Sequence, residues 1–199
     1  YEISECLVGS EMCIRDSIPT FGHRIHKEAQ RMITLVSDIL QLSELDGMSK
    51  QQENSPTADF VPVDLGVLVK DVATNMTVNA RKAYITLQYK VQPVTVRGSH
   101  DLLTELVTNL CDNAIRYNRP GGHVELSCGT NADGCPYFCV EDNGIGIPQD
   151  SQSRVFERFY RVDKSRSKST GGTGLGLAIV KHICALYGAE LKIDSEPDV

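Results

Sequence analysis

Three short blocks in a fixed order constrain the fold of this chain more than any other feature of its sequence. The first reads N-L-C-D-N-A-I-R-Y-N at 109–118, and the second reads E-D-N-G-I-G-I-P at 141–148. The third joins F-E-R-F-Y-R at 156–161 to G-G-T-G-L-G-L-A at 171–178. Each block alone is a weak signal because short glycine motifs occur often by chance, whereas all three in this order do not. Together they favour one pocket built from a helix face, a carboxylate and a flexible glycine-rich segment.

Composition and charge exclude several classes of protein. The chain has 199 residues, which allows one or two small domains, and 41% of them are hydrophobic, enough for an ordinary core. The formal net charge of -6 argues against an electrostatic nucleic-acid binder, and no apolar run is long enough to cross a bilayer. The seven cysteines lack the paired spacing of zinc sites and are typical of reduced thiols in a cytosolic setting. We therefore expect a soluble piece, which is still compatible with a membrane protein as its parent.

The segment from Pro19 to Asp46 has the pattern of a long amphipathic helix. Its apolar residues follow a 4-3-4-3 spacing that is typical of a bundle or coiled-coil seam: Ile25, Ala29, Met32, Val36 and Ile39. Pro19 and Gly47 suit the two boundaries of this helix. One such helix cannot bury its own stripe, so we expect a partner helix from this chain or from another. Residues 1–17 fit no clear period and stay unassigned, either as an artefact of sequence assembly or as a natural N-terminal segment.

A second compact unit follows a polar linker at 47–60. A short strand at 61–65 leads into a helix that begins at Leu65, with Asp64 as its expected N-cap. Further strands are expected at 85–89, 94–96, 124–128, 137–140 and 190–194, and further helices at 101–117 and 175–187. A flexible region is expected at 149–172. The segregation of strands and helices favours an α/β (α+β) fold, a two-layer sandwich.

The helix at 101–117 carries a polar stripe beside its apolar one. Glu105, Asn109, Asn113 and Arg116 are spaced so that they share one face. Asparagine side-chain oxygens suit Mg²⁺, Arg116 can add positive charge near phosphates, and Tyr117 can pack against a base or a sugar. The alternative reading is a solvated helix face.

The second block places a carboxylate at the end of an apolar strand. Asp142 can accept a hydrogen bond from an exocyclic amine, which would select adenine, and Gly144 and Gly146 let the backbone approach a ring closely. The alternatives are an ordinary strand-to-loop turn and a calcium-like acidic turn, although a calcium loop needs several more oxygen ligands.

The third block joins aromatic and cationic residues to a glycine-rich helix start. Backbone N–H groups at the helix that follows Gly172–Gly176 can bind phosphate. The block is not a dinucleotide fingerprint, because no strand directly precedes it and no acidic residue follows at the expected offset. The chain also lacks the G-x-x-x-x-G-K-[ST] loop of P-loop NTPases.

These blocks resemble the N box, the two glycine boxes and the aromatic F box of sensor histidine kinases of two-component systems. Their fold is shared with the gyrase-type, Hsp90-type and MutL-type ATPases. The resemblance implies a catalytic, ATP-binding domain at 61–199, a linker at 47–60, and a long helix of a dimeric four-helix bundle at 18–46. That helix would be the second of a dimerisation and phosphoacceptor hairpin.

The resemblance also implies the role of each motif residue, with ATP and Mg²⁺ as the cofactors. Asn113 would hold Mg²⁺, Asn109 would assist it, Asp142 would recognise adenine, and Arg161 would contact the terminal phosphate. Asn113, Asn109 and Arg161 are therefore the candidate catalytic residues. The candidate nucleotide-binding residues are Asn109, Asn113, Arg116, Tyr117, Asp142, Gly144, Gly146, Ile147, Phe159, Arg161, Gly172, Thr173, Gly174, Leu175, Gly176 and Leu177.

The phosphoacceptor block of the family, which resembles H-E-[LI]-[RK]-T-P, does not occur in this chain. His23 is followed by Arg-Ile and His26 by Lys-Glu-Ala-Gln, so we expect no phosphoacceptor here. The first hairpin helix, any sensor, any membrane anchor and the last strand of the sandwich are expected to lie outside the chain. The implied partners are a second copy through the hairpin helices and the receiver domain of a response regulator, with no nucleic acid. A cytoplasmic domain of a membrane-anchored bacterial parent is the implied location.

Two rival functions stay open at this point. An anti-sigma-factor-like serine kinase shares the ATP-binding fold, but it lacks the long helix at 18–46 and the aromatic box at 156–161. A non-catalytic nucleotide-binding or dimerisation module is the second rival, although the motif residues look intact.

Overall fold

The computed structural model describes residues 3–50, 60–162 and 172–197, with the side chains of the first helix described at 21, 22 and 24–47. Its helices are α1 (Ile3–Lys50), α2 (Leu65–Lys82), α3 (His100–Arg116), α4 (Gln149–Gln152) and α5 (Gly176–Tyr187). Its strands are β1 (Val61–Asp64), β2 (Thr86–Val91), β3 (Thr95–Gly98), β4 (His123–Thr130) and β5 (Pro136–Asp142).

Two small sheets form one layer of the fold. In the larger sheet, β4 lies in the centre, parallel to β2 and antiparallel to β5, so that Leu126 is opposite both Tyr89 and Val140. The smaller sheet pairs β1 with β3 in antiparallel fashion. Along β4, Val124, Leu126 and Cys128 are fully buried at alternate positions, as the two-residue period of a strand requires.

Helices α2 and α3 cover the larger sheet and form the second layer. Leu103, Val107, Cys111 and Ala114 recur every three or four residues on α3, so one stripe of this helix is buried against α2 and the sheet. The carboxylate of Asp64 accepts a hydrogen bond from the Val67 N–H at 3.1 Å, which confirms the predicted N-cap of α2. The predicted two-layer sandwich is therefore confirmed.

The C-terminal part of α1 packs against α5 and forms a second apolar core. Leu42 and Leu45 are 3% and 2% exposed there. They share this core with four residues at the start and along the length of α5: Leu175, Ile179, Ile183 and Leu186. This contact attaches the long helix to the sandwich.

The predicted seam of α1 remains exposed in the single chain. Ile25, Met32 and Val36 are 65%, 61% and 57% exposed. Within the described residues, therefore, α1 buries its C-terminal leucines but not the stripe for which a partner helix was predicted. None of the described helices combines the length and apolar character of a membrane span.

Two predicted helix boundaries and one predicted strand were wrong. Helix α1 begins at Ile3 and passes through Pro19, because a proline removes one backbone hydrogen bond and can bend a helix without ending it. It also passes through Gly47 to Lys50, since an isolated glycine costs only about 1 kcal/mol relative to alanine.

Residues 51–59 of the predicted linker lie outside the described residues. The origin of residues 1–17 and the assignment of the domains stay predictions.

The third error is the final strand, because residues 189–196 are irregular. A strand requires a backbone ladder with a neighbouring strand. The bonds that hold this segment run instead to a loop and a short helix. The Ile147 N–H donates to Ser195 Oγ at 2.9 Å, and Gln152 Nε2 donates to the Ser195 carbonyl at 2.6 Å.

We expect Val107→Ala in α3 to lower the free energy of unfolding by about 2 kcal/mol, because it removes two buried methyl groups and leaves a cavity. Val107 is fully buried, whereas Val78 in α2 is 58% exposed, so Val78→Ala is the matched control in a helix. Urea unfolding of both variants measures the difference. Equal losses in the two variants would contradict the placement of α3 in the core.

Candidate functional site

The polar face of α3 lies against the first residue of α5. Asn109 and Asn113 are one helical turn apart on α3 and share this face. A Cβ atom added to Gly176 would lie 2.9 Å from Asn109 Oδ1 and 3.8 Å from Asn113 Nδ2. Glycine at position 176 therefore lets the start of α5 lie this close to the Asn109 amide without moving that side chain. The structure brings the first and third sequence blocks together.

The two amide groups are available for a ligand. Both residues are half-buried, and neither side chain hydrogen-bonds to another protein atom in the part of the chain that the structure describes. Their oxygens are hard donors of the kind that Mg²⁺ takes, together with water and phosphate oxygens. The donor set thus fits a magnesium ion that is shared with a phosphate group.

Two guanidinium groups converge on Gly172, beside the end of α3. A Cβ atom at Gly172 would lie 3.2 Å from a terminal nitrogen of Arg116, 3.6 Å from one of Arg161 and 3.5 Å from the Tyr117 hydroxyl. Arg161 also donates to the Gly172 carbonyl at 2.5 Å, and Arg116 donates to Asp112 at 2.5 Å. Positive charge concentrated beside Gly172 is a suitable environment for a phosphate group.

A backbone hydrogen bond joins the loop after β5 to the end of α3. The Asp142 carboxylate accepts a hydrogen bond from the Gly144 N–H at 2.8 Å, and the Ile145 N–H donates to the Tyr117 carbonyl at 3.1 Å. Tyr117 therefore touches the loop after Asp142 through its backbone and approaches Gly172 through its hydroxyl. All three sequence blocks meet around this one residue.

The segment before α5 is held in a backbone conformation that few side chains adopt. The Phe159 N–H donates to the Gly174 carbonyl at 2.9 Å, and both residues have positive φ, 62° for Phe159 and 76° for Gly174. The Thr173 hydroxyl accepts a hydrogen bond from the Leu175 N–H at 3.3 Å. These contacts fix Thr173 and Gly174, which lie in the first half of the glycine-rich segment at 171–178. Residues 163–171 lie outside the described residues.

Several predicted site residues are engaged with the protein itself. Leu175 is fully buried in the core between α1 and α5, and Leu177 is half-buried. A Cβ at Gly146 would lie against the Glu196 carbonyl, and Ile147 bonds to Ser195. Their predicted roles in nucleotide binding stay predictions.

Helix α1 contributes polar groups to this site that the sequence analysis missed. Asp38 Oδ2 accepts a hydrogen bond from the Thr173 hydroxyl at 2.7 Å, and Gln41 Nε2 donates to the Glu105 carboxyl. Gln41, Glu105 and Asn109 also line a cleft of about 510 Å³ between α1 and α3. The 4-3-4-3 spacing of apolar residues in α1 did not predict this contact. Such a spacing identifies one apolar stripe of a helix and says nothing about the polar residues beside it.

Burial changes the protonation of the carboxyl groups in this contact. It raises the pKa of Asp38, against the opposing effects of the Thr173 hydrogen bond and the Arg116 charge. Burial, and then the negative charge of Asp38, raise the pKa of Glu105 from 4.5 to about 7. Near neutral pH, protonated and ionised Glu105 are therefore both well populated.

Comparison with known proteins identifies the family. Residues 98–199 match the family described as Histidine kinase-, DNA gyrase B-, and HSP90-like ATPase, and this match covers the three blocks and the helices that carry them. The chain belongs to this family. The resemblance to the ATP-binding catalytic part of sensor histidine kinases is confirmed, and so is the predicted fold class.

The similarity to individual relatives covers more of this chain than the family match at 98–199 does. The Sensor-like histidine kinase SenX3 of Mycolicibacterium smegmatis is 37% identical over 183 residues, which are 92% of this chain and 46% of SenX3. The chain thus spans less than half the length of that relative.

Solved structures give the same fold. The mycobacterial sensor histidine kinase MprB has a TM-score of 0.56 at 32% identity, over 65% of this chain and 80% of that chain. Full-length ShkA in complex with AMPPNP has a TM-score of 0.67 at 26% identity, over 85% of this chain and 34% of that chain.

We expect Glu105→Gln to remove a pH-dependent loss of stability. Because the pKa of Glu105 is raised in the folded state, the folded chain binds more protons than the unfolded chain between pH 4.5 and about 7. The contribution of the Glu105 carboxyl to stability is therefore full below pH 4.5 and is lost as the pH rises to about 7. At pH 8 the variant should be more stable than the natural chain by about 1 kcal/mol after solvent screening, and at pH 5 the gain should vanish.

Thermal unfolding between pH 5 and pH 8 measures this difference. Glu44→Gln is the control, because Glu44 lies exposed on α1. A pH-independent gain in Glu105→Gln, or an equal pH dependence in the control, would contradict the assignment.

Proposed function

We propose that this chain binds ATP with Mg²⁺ and is the catalytic part of a sensor histidine kinase. In the parent protein, the reaction would transfer the γ-phosphoryl group of ATP to a histidine and then to an aspartate of a response regulator. The observation that carries the proposal is that the asparagine pair lies beside Gly176, while the arginine pair and the loop after Asp142 meet around Tyr117, in a chain of this family.

Each part of the nucleotide has a matching group in the site. Asp142 keeps one carboxylate oxygen on the Gly144 N–H, and its other oxygen can accept the exocyclic amine of adenine. Arg116 and Arg161 lie where the phosphates would reach Gly172. The backbone at the start of α5 adds N–H donors and the positive end of the helix dipole, which also favour phosphate.

Asn113 would hold Mg²⁺ and Asn109 would assist it. The bound ion supplies positive charge shared between phosphate oxygens, which is the chemistry that phosphoryl transfer requires. The chain itself positions the phosphates and neutralises their charge through Arg116 and Arg161, and such transfers depend mainly on positioning and charge. Arg161 is the residue that we assign to the terminal phosphate.

The acceptor histidine and the dimer partner would come from outside the described residues. The exposed stripe of α1 fits pairing with a second copy of this chain in a helical bundle, because it is apolar and unburied. A receiver domain is the proposed second partner. The proposed location is the cytoplasmic side of a parent that is anchored in the bacterial membrane through other segments.

We expect Asn113→Ala to abolish binding of Mg²⁺-ATP while the fold is retained, because it removes the proposed metal ligand from a half-buried surface position. Isothermal titration calorimetry measures the affinity, and circular dichroism measures the fold. Asn75→Ala is the control, since Asn75 lies exposed on α2. An unchanged affinity in folded Asn113→Ala would refute the metal assignment.

The kinase reaction is tested by mixing this chain with a separately made acceptor hairpin of a sensor histidine kinase and γ-labelled ATP. We expect acid-labile label on the hairpin histidine. Acid-stable label on serine would instead identify a serine kinase. Nucleotide binding without any transfer would identify a non-catalytic module.

A further inference from the structure

The loop that follows β5 carries the proposed adenine contact, and both of its ends are held. We call residues 142–147 the purine loop. At its first end, the Asp142 carboxylate accepts a hydrogen bond from the Gly144 N–H at 2.8 Å. Its second end contacts residues 195–197, and this contact has two independent parts.

The first part is a set of three hydrogen bonds around Ile147. The Ile147 N–H donates to Ser195 Oγ at 2.9 Å, and Gln152 Nε2 donates to the Ile147 carbonyl at 3.0 Å. The same nitrogen donates to the Ser195 carbonyl at 2.6 Å, which an amide group can do because it has two hydrogens. Both polar backbone groups of Ile147 are therefore fixed by side chains that lie outside the three sequence blocks.

The second part is a contact between backbone atoms at Gly146. This residue has a φ of 66°, a conformation that favours glycine. A Cβ atom added there would lie against the Glu196 carbonyl, 2.7 Å from its carbon and 2.9 Å from Pro197 Cα. Backbone atoms cannot move aside as the end of a long side chain can, so residues 195–197 limit where the purine loop can lie.

The position of Ile147 bears on Asp142 through the backbone between them. Gly144, whose N–H orients the Asp142 carboxylate, lies three residues before Ile147 in a loop with two glycines and therefore wide backbone freedom. The hydrogen bond from the Ile145 N–H to the Tyr117 carbonyl fixes one pair of atoms and still allows the Gly144 peptide to rotate. Release of Ile147 would thus change the direction of the second Asp142 oxygen.

We propose that Ser195 and Gln152 are positioning residues for the adenine base, which act through Ile147 to keep the Asp142 carboxylate aimed at the exocyclic amine. This inference rests on the proposed function, because it names further residues that determine the specificity of the same site. A hydrogen bond weakens steeply when its angle departs from the optimum. Release of the purine loop therefore reduces the contribution of the amine to binding more than that of the phosphates.

The test uses the complete 199-residue chain and the variant Ser195→Ala, which removes the acceptor of the Ile147 N–H. Isothermal titration calorimetry measures binding of Mg²⁺-ATP and of Mg²⁺-purine riboside triphosphate, which is ATP without the exocyclic amine. We expect the affinity for ATP to fall about three- to tenfold and the affinity for the second nucleotide to fall about twofold or less.

The ratio of the two affinities separates positioning from a general structural role. A variant that merely destabilises the fold lowers both affinities by the same factor and leaves the ratio unchanged. Loss of positioning lowers the ratio, because it couples the substitution to one group of the ligand.

Ser195→Thr is the conservative variant, and Ser43→Ala is the control. Threonine retains a hydroxyl group that can accept from the Ile147 N–H, so we expect this variant to bind both nucleotides as the natural chain does. Ser43 lies exposed on α1, and we expect its substitution to change neither affinity.

Gln152→Met gives a second, independent test. Methionine has a similar length but no donor for the Ile147 and Ser195 carbonyls, so we expect the same selective loss of affinity for ATP. Gln88→Met is the control, because Gln88 lies exposed on β2. Melting curves confirm that each variant folds.

Three results with folded proteins would overturn the positioning role. They are an unchanged affinity for ATP in Ser195→Ala and Gln152→Met, an equal loss for the two nucleotides, and a loss in Ser195→Thr as large as that in Ser195→Ala. In each of them the natural chain still binds ATP, so the proposed function stands. Failure of the folded natural chain to bind either nucleotide would instead overturn the proposed function.

Discussion

The close approach of Gly176 to the two asparagines of α3 is the contact on which the rest of the site depends. It lets α5 begin directly beside α3, since a Cβ atom at Gly176 would lie 2.9 Å from Asn109 Oδ1. The segment before α5 is thereby placed beside the arginines at the end of α3. The same packing turns Ile179 and Ile183 of α5 towards the leucines of α1.

Helix α3 is able to organise the site because it has two different faces. Its apolar stripe is anchored in the core, where Val107 and Cys111 are fully buried, so its polar stripe cannot rotate away. Asn109 and Asn113 then occupy neighbouring turns with half-exposed amides. The helical period places the residues that stabilise the core and the residues that can bind a ligand on different faces of α3. A substitution on one face therefore leaves the other face in place.

Local patterns predicted the elements of the sandwich well, because each pattern has a local physical cause. The alternation in β4 and the Asn131–Gly134 turn predicted the hairpin, and the Asp64 side chain predicted the start of α2. Predictions failed where one residue type was given too much weight. Pro19 and Gly47 lie inside α1, and residues 190–194 have a strand-like pattern but no ladder in the described chain.

By itself, the sequence determined which residues share a helix face or a strand face, and therefore which chemistry each element can offer. Spacing is enough for this, because the helix and strand periods are properties of the backbone. Only the tertiary structure decided that α1 lies against α5 and brings Asp38 to Thr173. The contact joins residues that are far apart in the chain, and its apolar part depends on side-chain packing between two helices, which no local period encodes.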